Sequence, residues 1–503
     1  MNRLKLSKGD NMIKKAIAFS RGCDIVKITH FTQSRSFYRR RKRVMSKFIG
    51  DRKFYKRLLW LAVPIMVQNM ITNFVGFLDN IMVGQLGTEQ MSGVAIVNQF
   101  IFVFNLFVFG GISGAGIFGA QFYGNKDYKG VRDTFRFKLI TGIVITALSY
   151  IVFLGFGQQL IRLFLTASTA EASKATFEYG MSYLMVILVE IIPFVIVQIY
   201  ASTLRETGET VVPMVAGIVA VFVNLILNYI LIFGNFGAPE WGVAGAAVAT
   251  VISRIVECAI VVAWTHIHAR QNLFIVGVYR TLRVPVSLAK KILIKGSPLM
   301  LNEILWSAGM TTINQCLSVR GLSVVAAMNI TSTIGNLFNV VFIAMGSCVS
   351  IMVGQHLGAN EFKEAKETAT KVITFSVVIT ILTSIVLYLT SGLFPGLYNT
   401  SGEIRKLART LIQINAIAMP MHAFLHATYF TIRSGGRTWI TFLFDSAYTW
   451  VVAIPFTYCI IHFTDLPIVI VYAMYCSIDL IKLTVGAILL KKGIWVRNIV
   501  ETV

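Results

Sequence analysis

Charged residues are scarce in this chain, and acidic residues are the scarcer kind. Only 14% of the 503 residues are charged, with 23 Asp and Glu against 46 Lys and Arg, whereas 55% are hydrophobic. With a mean hydropathy of +0.70, this composition does not suit the surface of a water-soluble protein. Lipid is therefore expected to solvate most of the surface.

Closely spaced cysteines and a signal peptide are also missing. The six cysteines form no CxxC pair, and all but Cys23 lie in apolar runs, so neither a disulfide framework nor a zinc site is predicted. Residues 1–44 contain no apolar run of signal-peptide length, so the N-terminus is expected to be retained. Because the chain from Met45, MSKFIGDRKFYKRLLW, resembles an ordinary protein start, residues 1–44 are either an extension or a misassigned start.

Positive charge is concentrated before the first apolar run. The net charge is +23, and the first 57 residues hold 18 Lys and Arg against three acids. Beside a membrane-embedded body, such a segment is typical of a cytoplasmic anchor that faces anionic lipid headgroups. We expect membrane lipid, and not nucleic acid, to be its partner.

The apolar runs predict an all-α integral membrane protein with twelve transmembrane helices. Each run is long enough for the roughly 20 residues that a membrane span needs. The predicted spans are 57–84, 92–121, 134–157, 178–203, 211–233, 243–266, 290–317, 322–352, 368–390, 406–432, 438–461 and 467–490. The predicted units are a basic cytoplasmic extension (1–50), a first six-helix half (51–266), a cytoplasmic linker (267–289), a second six-helix half (290–490) and a cytoplasmic tail (491–503).

The charges between the spans predict their orientation. The second, fourth, sixth and eighth connections carry Lys or Arg, whereas the first, fifth and eleventh carry none. Basic connections stay in the cytoplasm, so both termini are expected there, in a multi-pass protein of the cell membrane. The ninth connection is an exception, because it is predicted to lie outside the cell and yet carries Arg405, Lys406 and Arg409.

The two halves repeat each other. The segment QFYGNKDYK from Gln121 matches QHLGANEFK from Gln355, 234 positions later, and Gly87 matches Gly321 at the same spacing. RETGET from Arg205 matches RSGGRT from Arg433, 228 positions later. Three matches in the same order indicate duplication. Two parallel repeats are expected to enclose a central cavity and to rock against each other.

An acid in the first span is the sharpest candidate for function. An ionisable group inside a span costs roughly 2.5–3.5 kcal/mol, so Asp79 needs a partner, water or a function. Gln68 lies eleven residues earlier, about three helical turns, and so shares a face with Asp79. The alternative is an acid near the interface that water stabilises.

Amides and a hydroxyl in the fifth and sixth spans match this acid. Asn224 and Asn228 are four residues apart, which places both on one side of a helix. With Asp79 they predict either an oxygen site for a small cation or a buried acid that carries a proton. Close helix packing is an equal alternative for the Asn pair. Thr250 adds a hydroxyl, although close helix packing is the favoured explanation for a threonine in GVAGAAVAT.

The chain resembles the multidrug and toxic compound extrusion (MATE) family over about residues 50–490. The resemblance rests on Pro64, Gln68 and DNIMVGQLG from Asp79, followed by GAQFYGN, LRETGETVVP, the Asn224 and Asn228 pair, GVAGAAVATVISR and SPLMLNE. It implies the export of drugs and organic cations in exchange for sodium ions or protons, without a cofactor. It also implies a cation site at Asp79, Asn224, Asn228 and Thr250, with no metal other than sodium.

The second half departs from the family pattern. The resemblance implies acids in the seventh and tenth spans, but Glu303 lies about one turn nearer the preceding proline than that pattern has it, and His422 takes the place of the second acid. Asp79 itself has Ile313 at its repeat-related position. We expect Gln68, Glu190, Glu303 and His422 to line a substrate or proton cavity.

The other membrane charges are expected to be structural. Arg254 and Glu257 are three residues apart, as are Asp479 and Lys482, and each spacing predicts a local ion pair. Asp445 has no local partner and is a second-rank cavity candidate.

The predicted function is antiport of cationic or amphiphilic drugs by a monomer. A flippase for lipid-linked oligosaccharide is the alternative within the superfamily, and it predicts basic residues inside the cavity. An integral-membrane enzyme would show a cluster of His and acids or a nucleophile motif near an interface, and the sequence has none, so the protein is not expected to be an enzyme.

Overall fold

The computed structural model describes residues 48–165, 170–398 and 400–501. Their regular structure is helical throughout, and twelve long helices follow one another along the chain. The predicted basic extension lies outside the described residues except for residues 48–50. The helices are α1 Arg52–Gly84, α2 Thr88–Gly124, α3 Tyr128–Arg162, α4 Glu171–Glu206, α5 Val211–Phe233, α6 Gly242–Ile267, α7 Val286–Ser318, α8 Leu322–Gly358, α9 Phe362–Thr390, α10 Gly402–Ser434, α11 Thr438–Phe463 and α12 Ile468–Lys492.

The helices confirm the predicted membrane architecture. Within the described residues, nine of the twelve are long and apolar enough to cross a membrane by themselves. The remaining three, α1, α7 and α10, each contain a proline, at Pro64, Pro298 and Pro420. Large apolar side chains such as Ile151 and Val451 are 63% and 73% exposed, as expected for surfaces that face lipid.

Each half begins its first helix in the core of the other half. Leu58, near the start of α1, is buried with Met345 and Met352 of the second half. Ile292, near the start of α7, is buried in the main core of the first half. Leu58 and Ile292 are 234 positions apart, as are Pro64 and Pro298. The packing therefore repeats along with the sequence, which confirms the two six-helix repeats.

Glycines allow the two halves to touch at one end of the helices. A Cβ added to Gly124, at the end of α2, would overlap the carbonyl oxygen of Gln355 in α8. Conversely, a Cβ on Gly358 would overlap the carbonyl oxygen of Gln121. Because these two contacts are reciprocal, a pseudo-two-fold axis passes between them. We call this region, around Gln121, Gly124, Gln355 and Gly358, the closed end.

Two glutamines link the halves at the closed end. Gln121 donates its Nε2 to the carbonyl oxygen of Ser434 at the end of α10, at 2.8 Å. Gln355 donates its Nε2 to the carbonyl oxygen of Glu206 at the end of α4, at 2.9 Å. The donors are 234 positions apart and the acceptors 228, so the same bond is made twice by the two repeats. Each bond satisfies a carbonyl that a helix end leaves open.

The segment after α12 packs across the closed end. Trp495 is only 2% exposed and belongs to the core of the second half, whereas Val500 is buried in the core of the first. Between them, the backbone N–H of Ile499 donates to Oε1 of Gln121 at 2.9 Å. The predicted tail is thus a packed connection between the halves over residues 493–501.

Candidate ion and cargo sites

Four predicted residues of the first half come together in the structure. Nδ2 of Asn228 donates to Oδ1 of Asp79 at 2.5 Å and to Oδ1 of Asn224 at 3.1 Å. Nδ2 of Asn224 in turn donates to Oγ1 of Thr250 at 3.2 Å. The chain of contacts joins α1, α5 and α6. We call these four residues the Asp79 cluster.

Local packing explains how α6 brings Thr250 to this cluster. Gly245, five residues before Thr250, lies so close to α5 that a Cβ would overlap the carbonyl oxygen of Leu231. The small residues of GVAGAA therefore let the two helices approach closely. Packing and a polar contact are thus both fulfilled by the same segment.

The Asp79 cluster has an unused buried oxygen. Asn224 is 4% exposed and Asn228 is 1% exposed, and Oδ1 of Asn228 has no hydrogen-bond partner in the described part of the chain. An unsatisfied buried acceptor is costly unless something donates or coordinates to it. A carboxylate with amide and hydroxyl oxygens fits a small hard cation, and the carboxylate alone fits a proton.

An ion-paired arginine lies on the neighbouring turn of α6. Arg254 contacts Glu257 at 2.7 Å, as the sequence spacing predicts, and also contacts Glu190 of α4 at 2.9 Å. Glu190, which we expected to line a cavity, is 8% exposed and tied to this arginine. Gln68 is held similarly, since its Oε1 accepts from Nη2 of Arg205 at 2.9 Å.

A cavity of about 710 Å³ lies mainly in the second half. It extends from Arg205, near the closed end, to Ser318 at the end of α7 and Val325 near the start of α8. Ser318 and Val325 lie at the other end of the helices from the closed end. Eight Phe, Trp or Tyr residues and seven asparagines contribute to its lining, which also includes Glu303 and His422 as expected. Its size suits a drug-sized ligand, for which pockets of about 300–1,000 Å³ are usual.

Two pairs of titratable side chains in this cavity are in contact across helices. Nζ of Lys482 lies 2.6 Å from Oδ1 of Asp445, and Nε2 of His422 lies 3.6 Å from Oδ2 of Asp479. The predicted local pair of Asp479 with Lys482 is therefore wrong. Although three residues apart on α12, the two side chains reach different neighbours, one on α10 and one on α11.

The winding of α11 positions Asp445, and this winding was not predicted. Helix α11 is π-helical over Leu443–Ala447 and again over Thr449–Ala453. π-Helical turns are rare overall, but those that occur are frequently found at functional sites. Asn302 of α7 is fitted to this turn, with its Nδ2 3.2 Å from Oδ2 of Asp445 and its Oδ1 2.8 Å from Oγ of Ser446. The sequence signal for this contact was the presence of two polar residues, Asn302 and Ser446, 144 positions apart, inside apolar spans.

A metal centre built from side chains is not present among the described residues, where no three His, Cys, Asp or Glu side chains converge. His422 and His426, four residues apart on α10, both line the cavity. They contribute to its polar wall.

Comparison with known proteins assigns the family. The family model described as MatE matches residues 64–230 and again residues 298–459. The chain belongs to the MatE family. The two matches begin at Pro64 and Pro298, so the MatE repeat coincides with the internal repeat, and the predicted membership of the multidrug and toxic compound extrusion transporters is confirmed.

Similar MatE proteins cover nearly the whole chain. A probable multidrug resistance protein YoeA of Bacillus subtilis is 26% identical over 428 residues, covering 84% of this chain and 90% of that protein. A probable multidrug resistance protein NorM of Thermotoga maritima is 25% identical over 456 residues, with 89% and 94% covered.

Solved structures show the same fold. An outward-facing multidrug resistance MATE family transporter of the MOP superfamily superposes with a TM-score of 0.78 at 20% identity, over 89% of this chain and 98% of that one. A MOP superfamily transporter from Pyrococcus furiosus gives a TM-score of 0.76 at 20% identity, with the same coverage.

Proposed function

We propose that this MatE protein exports cationic or amphiphilic organic molecules in exchange for sodium ions or protons. The observation that carries the proposal is that two candidate sites lie in different halves. The Asp79 cluster, with its unused oxygen, lies in the first half. The drug-sized cavity lies mainly in the second half.

The wall of the cavity favours cationic cargo. Its lining includes three acids, Glu303, Asp445 and Asp479, against the bases Arg205 and Lys482. Because Lys482 neutralises Asp445, Glu303 is the acid best placed to attract an organic cation. A flippase for an anionic lipid-linked sugar would instead need a basic cavity.

The cavity is proposed to face one side of the membrane at a time. Gln121 and Gln355 join the halves at the closed end, while the cavity reaches the opposite end. With the charge-based orientation, in which both termini are cytoplasmic, this is the outward-facing state of a monomer in the cell membrane. Rocking the halves about the pseudo-two-fold axis would then open the closed end to the cytoplasm.

Coupling follows if the ion and the cargo prefer different states. Ion binding at Asp79 favours the state that releases cargo, and cargo binding in the other state favours release of the ion. One positive charge moving inward at 100 mV supplies about 2.3 kcal/mol, or roughly fifty-fold accumulation of a neutral solute.

Efflux of ethidium from reconstituted vesicles tests the proposal. Sodium and proton gradients are imposed separately on vesicles with the natural chain, with Asp79→Asn, and with the control Asp465→Asn, which changes an exposed acid between α11 and α12. We expect one gradient to drive efflux by the natural chain and the control, and about a tenfold or greater loss in Asp79→Asn. Undiminished efflux in Asp79→Asn would remove the ion role of this acid.

A further inference from the structure

The segment after α12 contacts both halves of the molecule, and different residues make the two sets of contacts. It begins at Gly493, where a φ of 64° ends the helix, and it crosses the closed end as far as residue 501. We call residues 493–501 the strap. The contacts of the strap show which half holds it more firmly.

Hydrogen bonds anchor the first part of the strap to the second half. Nε of Arg437, between α10 and α11, donates to the carbonyl oxygen of Ile494 at 3.2 Å. Nδ2 of Asn498 donates to the carbonyl oxygen of Gly358 at 3.1 Å and to Oδ1 of Asn360 at 2.8 Å. These bonds hold the strap at both ends of the stretch 494–498.

Close packing reinforces this anchor. Trp495 is buried in the same core cluster as Met345 and Met352 of α8. A Cβ added to Gly435, just after α10, would overlap the carbonyl oxygen of Trp495. Val496 packs against the same core cluster. The backbone and the side chains of this part of the strap are therefore fitted to the second half.

The last part of the strap contacts the first half. The backbone N–H of Ile499 donates to Oε1 of Gln121 at 2.9 Å, and Nε2 of Gln121 donates to the carbonyl oxygen of Arg497 at 3.3 Å. Val500 is 6% exposed and lies in the main core of the first half, with Ile499 packed against that core. We call residues 499–500 the tip. Ile499 also lies against Gly436, so Val500 is the clearest anchor of the tip in the first half.

The two attachments differ in strength. The tryptophan that the strap buries in the second half has a much larger apolar area than the valine that it buries in the first. The bonds to Gln121 depend on a single side chain, whereas those to the second half involve Arg437, Gly358 and Asn360. Separation of the halves would therefore break the contacts with the first half before those with the second.

The strap also makes the two glutamine links unequal. Oε1 of Gln121 accepts from Ile499 in the strap, whereas Oε1 of its repeat equivalent, Gln355, accepts from Nη2 of Arg57 at 2.7 Å. Arg57 belongs to α1, one of the twelve long helices. One glutamine is thus held by a helix and the other by the strap, which is a feature that the repeat does not duplicate.

We propose that the strap is a latch on the closed end, which stays attached to the second half and must release its tip from the first half before the closed end opens. While both attachments remain, they hold the halves together in addition to the links of Gln121 and Gln355. The latch favours the closed state, so a weaker tip should raise the population of the open state. This inference rests on the rocking of the halves in the proposed function.

A matched pair of valines tests the latch in the full chain. Val500 is buried in the first-half core, whereas Val496 packs against the second-half core. Spin labels on Lys129→Cys and Lys363→Cys, at the starts of α3 and α9, report the distance across the closed end by electron–electron resonance in a cysteine-free background. We expect Val500→Ala to raise the ratio of long to short distances about fivefold, and Val496→Ala to leave it unchanged.

Two shortened chains test the latch without a substitution in the core. A chain that ends at Asn498 lacks the tip, and a chain that ends at Glu501 keeps it. We expect the first to populate the long distance more than Val500→Ala does, and the second to match the natural chain. Equal distance distributions in the two shortened chains, or in the two valine variants, would overturn the latch.

A label on the exposed Glu501→Cys shows which half the strap follows. In the Val500→Ala protein, its distance to Lys129→Cys in the first half should gain a longer component, and its distance to Lys363→Cys in the second half should stay at the natural value. A longer distance to Lys363→Cys, or an unchanged distance to Lys129→Cys, would contradict a latch carried by the second half. These distances require no transport, whereas failure of the proposed export function would appear as absent ethidium efflux by the natural chain.

Discussion

Asp445 of α11 and Lys482 of α12 form an ion pair among the helices of the second half. Their side chains are 20% and 12% exposed, and 2.6 Å separates Oδ1 from Nζ. Removing one partner leaves an uncompensated charge, which for a buried pair costs about 3–5 kcal/mol. We therefore expect Lys482→Met to lower the free energy of unfolding, by less than this range because the pair is partly exposed.

The double variant Lys482→Met with Asp445→Leu supplies the comparison. Replacing both charges removes the unpaired acid, so most of the stability should return, and the two changes should not be additive. Reversible unfolding in mixed detergent micelles gives the free energy of unfolding of Lys482→Met, of Asp445→Leu and of the double variant. If the double variant is as unstable as the sum of the single ones, the ion pair does not account for the loss.

Asn228 is the residue of the Asp79 cluster whose side-chain oxygen has no hydrogen-bond partner among the residues that the structure describes. Removing that oxygen in Asn228→Ala should raise the ion concentration needed for half-maximal ethidium efflux by about tenfold, because one ligand is lost. Asn235→Ala, which changes an amide just after α5, is the control and should leave the ion requirement unchanged. An unaltered ion dependence in Asn228→Ala would show that this oxygen is not a ligand.

At the scale of elements, the crossing of α2 and α8 depends on glycine. A Cβ on Gly124 would overlap the backbone oxygen of Gln355, and backbone cannot move aside as a flexible side chain can. Gly124→Ala should therefore separate the halves at the closed end and lower the efflux rate several-fold. Gly155→Ala in α3 is the matched control, because a Cβ there meets nothing within 4 Å. Equal rates for the two variants would contradict the close crossing.

The helices and the Asp79 cluster could be predicted from the sequence for a physical reason. Apolar length alone predicts a membrane span, and Asn224 and Asn228 share a face because of the helical repeat. The ion-pair partners in the second half could not be predicted, because Lys482 and Asp479 contact residues on other helices and do not pair with each other. The π-helical turns around Asp445 also have no sequence signature that we could use.

At the scale of the whole molecule, the repeat predicts that its two glutamine bonds are equivalent. Gln121→Ala and Gln355→Ala each remove one repeat-related hydrogen bond between the halves. They also remove bonds that the repeat does not share, those of Gln121 with the backbone of Arg497 and Ile499 and that of Gln355 with Arg57. A net loss of about 1 kcal/mol for each would shift the population of the closed state about fivefold, and the double variant should shift it further.

Spin labels can follow this shift. Lys129 and Lys363 are repeat-related positions, at the starts of α3 and α9. With labels attached to Lys129→Cys and Lys363→Cys in a cysteine-free background, electron–electron resonance gives the distance distribution across the closed end. We expect a longer-distance population that grows similarly in the two single variants. A change in one variant alone would show that the pseudo-symmetry does not extend to the energetics.

The central claim is that the ion acts in the first half and the cargo binds in the second. Ethidium binding to purified protein, titrated with the driving ion, tests it in Asp79→Asn and Glu303→Gln. The account predicts that Asp79→Asn binds ethidium normally but no longer responds to the ion, whereas Glu303→Gln binds ethidium weakly and keeps its response. Loss of both properties in either variant would contradict the division between the halves.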